Sequence, residues 1–376
     1  MATHRVWFLS FLLLFLVSNY LVLLIRPCAA KFPNCTFDSI YQFGDSISDT
    51  GNFIREFPIG YFSVFARLPY GQTFFNMPTG RCSDGLLMVD YLALAAHLPL
   101  LNPYLKSHSD FTHGVNFAVA GSTALDISSL VKLNIIPLLT KSSLNVQLQW
   151  FKTHLSSICK SKTECAQRLE KSLFMMGEIG LNDCNYAFIE GKTIEEVEKI
   201  VPEVFQAIKN ATREVIDHGA LRIVVPGSFP LGCFPFYLTT LKSNDPAAYD
   251  EFKCLKDLNN FSMYYNNLLQ QSILELNQEY PNVVVVYADN YNAFQWLHQH
   301  APYLGFDVGS IQKACCGIGG DYNFDPILPC GAPLVPVCRH PERRVSWDGI
   351  HLTQEAYKQM AKWLIRDIMP KLHFIV

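Results

Sequence analysis

Four short stretches of this 376-residue chain carry side chains that could do chemistry together. The first is FGDSISDTGN (43–52), where an apolar run stops at Gly44 and Ser46 follows at once. The last is WDGIHLT (347–353), which sets Asp348 shortly before His351. A serine hydroxyl is a weak nucleophile until a base takes its proton, and imidazole is the usual base near neutral pH. An acceptor on the other ring nitrogen must hold the imidazole in one tautomer, and Asp348 is close enough in the chain to serve. Attack on a carbonyl creates an oxyanion that needs donors fixed in advance. The backbone N–H groups of Ser46 and of Gly121, in AGSTAL, could supply two, and the side-chain amide of Asn182, in GEIGLNDCN, a third.

Taken singly, each piece is ordinary. Serine is common in turns and caps, and asparagine in left-handed turns. Glycine can simply allow a helix to pack on a strand, and an isolated Asp-x-x-His is commonly surface decoration. GEIGLND and CGIGG are glycine-rich, but neither completes a dinucleotide fingerprint or a P-loop. The weight lies in order and combination.

The elements that must position these groups are legible as alternating apolar runs and longer amphipathic ones. Strands are expected at Ser39–Phe43, Val115–Val119, Ser172–Met176, Leu221–Val225 and Val283–Ala288. Helices are expected at Leu86–Leu98, Leu144–Ile158, Ile194–His218, Ala247–Glu279 and Gln354–Met369, with Pro202 kinking or breaking the third. Alternation of this kind predicts an α/β fold, a three-layer α/β/α sandwich around a central, mainly parallel sheet. In such sheets functional groups gather beyond the carboxyl ends of the strands. The turns holding Ser46, Gly121 and Asn182 each follow an expected strand, so all three point to one edge.

The N-terminal segment reads differently. Val6–Ile25 is largely apolar, follows Arg5, and leads to small residues at Cys28-Ala29-Ala30, which predicts a secretory signal peptide over 1–30. Residues 31–376 then form one domain, with no stable membrane insertion once the signal is cut. Removing 1–30 deletes Arg5 and Arg26 and no acid, taking the net charge from −3 to −5. A mildly acidic body argues against a nucleic-acid partner. The secretory route implies an extracellular or vacuolar protein and an oxidising compartment in which most of the eleven remaining cysteines pair. Cys159 with Cys165 and Cys233 with Cys254 are expected to bridge, each pair bracketing a polar loop. Partners for Cys35, Cys82, Cys184, Cys315, Cys316, Cys330 and Cys338 stay open. The late cysteines with His340 lack the regular knuckles of a zinc site, so no metal is expected. Asn34, Asn210 and Asn260 each begin a glycosylation sequon.

Read together, FGDSISDTGN, GVNFAVAGSTAL, GEIGLND and WDGIHLT resemble the first, second, third and fifth blocks of the plant GDSL esterase/lipases of the SGNH hydrolase superfamily. PTGRCSDG, VVPGSFPLGC and KACCGIGGDYN are similar to that family as well, and the likeness covers nearly the whole mature chain. The resemblance implies the SGNH fold, no cofactor, Ser46 as nucleophile, Asp348 and His351 as its partners, and Ser46, Gly121 and Asn182 as oxyanion donors. Glu178 departs from the family, standing where many members have asparagine, and is expected to tune activity rather than abolish it. NPYL, HGVNFAVAG, NDCNYAF, TIEE and YADNYNAF are similar to a member that deacetylates an alkaloid. The implied function is hydrolysis of an acetyl or other small ester of a plant specialised metabolite by a monomer. Acyl transfer through the same triad, or a catalytically silent binding protein on the same scaffold, are the alternatives. Acids at 45, 49, 178 and 183, with aromatic residues between Phe53 and Phe75 and at Tyr186 and Phe188, suggest a site for a neutral or cationic ester. The competing reading is that the acids brace turns and the rings fill core.

Overall fold

Ser39–Phe43 (β1) is buried at all five positions, the pattern of a strand covered on both faces. The computed structural model to which it belongs describes residues 37–372. Gly114–Asn116 (β2), Ser172–Met176 (β3), Arg222–Pro226 (β4) and Val284–Ala288 (β5) complete the sheet. Its order is β2-β1-β3-β4-β5 and every pairing is parallel. The chain leaves β1 toward one edge and then returns past it, which makes the gap between the ends of β1 and β3 the topological switch point where a crevice forms.

Among the described residues the α-helices are Met88–Ala95 (α1), Ile127–Lys132 (α2), Leu144–Ile158 (α3), Lys162–Leu169 (α4), Leu181–Ile189 (α5), Ile194–Glu198 (α6), Val201–Asp217 (α7), Pro235–Thr240 (α8), Lys256–Glu279 (α9), Asn290–Gln299 (α10) and Gln354–Lys371 (α11). Alternation along β1 assigns the layers. Tyr41 and Phe43 stand against Phe151 of α3, with ring centroids 5.8 and 5.6 Å apart. Gln42 and Met175 face the side covered by α1 and α11. α3 packs on α7 and α9 on α7 and β5, whereas α11 packs on β5, α1 and α10. The result is the expected three-layer sandwich.

The differences from the sequence reading have local causes. The second strand ends at Asn116, not Val119, because the Asn116 carboxamide takes the Ala118 N–H at 2.9 Å. Asn52 then donates to the carbonyls of Asn116 and Ala118, and a single parallel bridge from Pro103 to Asn116 covers the rest of this outer edge. The stretch beginning at Ala247 becomes helical only at Lys256, because the Asp250 carboxylate holds the Phe252 and Cys254 N–H groups in a turn. The stretch from Ile194 splits into α6 and α7, with Pro202 in the first turn of α7, where a missing N–H costs nothing.

Cys159–Cys165 and Cys233–Cys254 are bonded as expected, and Cys315–Cys338 and Cys316–Cys330 pair the late cysteines. Cys82 and Cys184 are buried and unpaired among the described residues. Cys35, Asn34 and the signal segment lie outside the described residues. Asn210 and Asn260 are exposed, but on helices α7 and α9 rather than on loops. No described helix is long and apolar enough to cross a membrane.

Candidate active site

Ser46 sits in the turn that leaves β1, and that turn is gripped from two sides. Gln147 of α3 accepts from the Gly44 N–H at 2.9 Å and donates to the Gly44 carbonyl at 2.8 Å. The Asp45 N–H donates to the Glu178 carbonyl at 2.8 Å, tying this turn to the one after β3. A side chain at Gly44 would meet that carbonyl at 2.8 Å, so the close approach of the two turns requires glycine.

At the other end of the chain, Asp348 and His351 occupy a turn locked just before α11. The Trp347 N–H donates to the His351 carbonyl at 2.8 Å. The Thr353 hydroxyl then caps the helix by accepting from the Ala356 N–H. His351 Nε2 lies 2.8 Å from Ser46 Oγ, and His351 Nδ1 lies 2.7 Å from Asp348 Oδ2. With Nδ1 donating to Asp348, Nε2 is left to accept the Ser46 proton. Asp348 Oδ1 accepts from the N–H groups of Ile350 and His351, at 3.0 and 2.8 Å. Burial alone would raise the Asp348 carboxyl, but the His351 ring and these N–H donors outweigh it and hold it below the usual range. It is a fixed anion facing the imidazole.

The groups expected as oxyanion donors come from neighbouring turns. Among the described residues the N–H groups of Ser46 and Gly121 have no protein acceptor, as an oxyanion site requires. Gly121 has φ +82°, and a Cβ there would meet Leu139 Cβ at 2.7 Å and Tyr186 Oη at 2.9 Å. Asn182 lies in the first turn of α5, not in a glycine-rich turn as the sequence suggested. One of its two amide hydrogens goes to the Ser122 carbonyl at 2.9 Å, leaving the other free.

Several supporting residues had no recognisable signal in the sequence. Tyr70 donates to Asp348 Oδ2 at 2.8 Å, and burial next to that charge pushes its phenol well above the ordinary value, so it stays a donor. Phe65 stands edge-on to both Tyr70 and His351, with centroids 5.0 and 5.9 Å away. Tyr186 of α5 donates to the Gly121 carbonyl at 2.9 Å. The only hint for Gln147 was a polar residue on the buried face of an amphipathic helix.

The acids near Ser46 act as braces. Asp49 accepts from the N–H groups of Gly51, Asn52, Phe53 and Ala120, stitching the Ser46 turn to the Gly121 turn. Asp183 accepts from Ala124 and Leu125, both at 2.9 Å. Burial pushes these carboxyls up, Asp49 to about 6 and Asp183 to about 7, against the pull of those N–H donors. Burial also raises Glu178, whose carboxylate accepts from Asn290 at 2.8 Å. The aromatic residues divide. Phe53, Tyr70 and Tyr186 are core, whereas Phe57, Tyr61 and Phe62 pack on one another and remain exposed.

A hydroxyl, an imidazole and a buried carboxylate in series, beside two free N–H groups and an amide, can carry out acyl transfer from an ester to water. Comparison with known proteins agrees. The model of the GDSL-like lipase/acylhydrolase family matches residues 40–364. Acetylajmalan esterase 1 of Rauvolfia serpentina is 49% identical over 338 residues, covering 90% of this chain and 88% of that protein. Acetylajmalan esterase 2 of the same plant is 50% identical over 339 residues, covering 90% and 92%. A GDSL esterase/lipase of Arabidopsis thaliana is 41% identical over 369 residues, covering 95% and 98%. The chain belongs to the GDSL-like lipase/acylhydrolase family and is a carboxylic ester hydrolase.

Proposed function

We propose that Ser46 is the nucleophile of a secreted, monomeric serine esterase that removes a small acyl group, such as acetyl, from an alkaloid or similar specialised metabolite. The observation that carries this reading is the 2.8 Å contact of Ser46 Oγ with His351 Nε2, backed by the 2.7 Å contact of His351 Nδ1 with Asp348. Ser46 Oγ attacks the ester carbonyl as His351 Nε2 takes its proton. The oxyanion is held by the N–H groups of Ser46 and Gly121 and the free amide hydrogen of Asn182. His351 then passes the proton to the leaving alcohol, and an acyl-enzyme remains on Ser46. Water attacks that ester, His351 again takes and returns a proton, and the carboxylic acid leaves.

The names of the Rauvolfia relatives support an acetyl ester of an alkaloid. Disulfides among the described residues fit passage through an oxidising compartment. Ser46→Ala tests the assignment. Hydrolysis should fall to the residual level of the oxyanion site, ~10³-fold over water, with the fold intact. Activity within a few-fold of wild type would overturn it.

A further inference from the structure

The proposed nucleophile lies between two very different surroundings. On one side a pocket is lined by Ser46 and Asn182 and walled by Phe229 and Tyr237, with Ile350 and Leu352 from either side of His351. On the other, the segment that begins at Phe53 reaches His351 through Phe65. The same segment is tied to the loop beside Gly121, where Glu56 accepts from the hydroxyls of Thr140 and Ser142. Its rings Phe57, Tyr61 and Phe62 are 77%, 60% and 63% exposed, so this side is open and apolar.

We infer that this walled pocket is the acyl site and that it favours acyl groups of about four carbons or fewer. This rests on Ser46 being the nucleophile. Geometry then assigns the three directions at the carbonyl carbon. The oxyanion must point to Gly121 and Asn182. The leaving oxygen must lie beside His351 Nε2, which protonates it, and the segment that sets Phe65 against that ring also carries the exposed aromatics. The acyl group takes the remaining direction, into the pocket beneath Asn182.

The size of the pocket sets the limit. It offers ≈ 60 Å³ of space that a water can reach. One water needs about 10–15 Å³ by the same measure, so a handful of heavy atoms fills it. The far wall is braced against expansion. Tyr237 donates to the Asn185 carboxamide across the floor and is buried. Phe229 packs on Phe234, which stacks on Phe294 of α10 at 5.1 Å. The Cys233–Cys254 bond anchors the same segment, directly beside Phe234. A longer acyl chain would have to break this packing, and cores resist such overfilling.

The test uses the full-length secreted protein and two ester series. One holds the alcohol fixed and runs from acetyl through butanoyl and hexanoyl to octanoyl; the other holds acetyl fixed and enlarges the alcohol. Wild type should lose kcat/KM steeply beyond butanoyl, by 10-fold or more per added pair of methylenes, yet tolerate bulky alcohols. Tyr237→Ala should raise the hexanoyl-to-acetyl ratio of kcat/KM by at least 10-fold without changing the ratio between alcohols. Phe229→Ala, on a different wall, should do the same and serves if Tyr237→Ala misfolds. Octanoyl esters cleaved by wild type as fast as acetyl esters would overturn the inference. So would active variants whose alcohol preference moves instead, or whose acyl ratio stays fixed. A wild-type protein inactive on every ester would contradict the proposed function itself.

Discussion

Replacing Asn182 by alanine isolates one donor of the proposed oxyanion site. Its amide has two hydrogens, and the Ser122 carbonyl takes one at 2.9 Å in the resting protein. The other has work only when negative charge develops on the substrate. Removing a donor of this kind typically costs ~10²–10³-fold in kcat, about 2.7–4 kcal/mol. The Ser122 carbonyl also loses its partner, which could let the Gly121 turn drift. That turn is still held by Tyr186 on the Gly121 carbonyl and by Asp183 on the Ala124 and Leu125 N–H groups. The loss should therefore appear in kcat, with KM changed by no more than about 3-fold, as expected for an interaction made only in the transition state. Steady-state kinetics on an acetyl ester, with a melting curve to confirm the fold, reads this directly. Asn182→Asp should be worse than alanine, because it aims a carboxylate at both the Ser122 carbonyl and the oxyanion. A defect confined to KM, or a kcat within a few-fold of wild type, would refute the role.

Tyr70→Phe removes a single hydroxyl without opening a cavity, and the lost hydrogen bond to a buried carboxylate should cost about 1.5–3 kcal/mol. Because Asp348 is held below its usual range, it stabilises the fold above the unfolded value of about 4 and less as pH falls. The variant raises the Asp348 carboxyl, so acid unfolding followed by circular dichroism should begin at a higher pH than in wild type; an unchanged or lower onset would count against the contact. Replacing Cys233 and Cys254 together by serine should cost ~2–4 kcal/mol, read by denaturant unfolding; an unchanged midpoint would mean that the bond constrains little. The exposed rings Phe57, Tyr61 and Phe62 offer a cation a face to stack on, so a cationic or neutral ester should be turned over faster than an anionic one of equal size. Preference for the anionic member in matched kcat/KM measurements would reverse that expectation.

The sequence was most informative where one local pattern dictates one structure. Ser39–Phe43 and Ser172–Met176 are short, apolar and bounded by glycine, and both are strands at those limits. The convergence of Ser46, Gly121 and Asn182 followed from β2, β1 and β3 being parallel neighbours. What escaped were contacts between side chains far apart in the chain. Tyr70 meets Asp348 across 278 positions and Gln147 meets Gly44 across 103, and no periodicity encodes either. Helix α5 was missed because its first turn, Leu-Asn-Asp, follows glycines and reads as a loop; burial of Cys184, Tyr186 and Ala187 holds it in place. The acids at 49 and 183 looked like a source of negative field, but their oxygens are occupied by backbone N–H groups, so the competing reading of them as braces is the better one.

The account turns on whether Ser46 is activated by His351. A fluorophosphonate probe reacts covalently with a serine whose proton a neighbouring base can take, and peptide mass spectrometry then locates the adduct. The account predicts a single adduct on Ser46, lost in Ser46→Ala and strongly slowed in His351→Ala. An adduct on another serine, or labelling of Ser46 at the wild-type rate in His351→Ala, would contradict it.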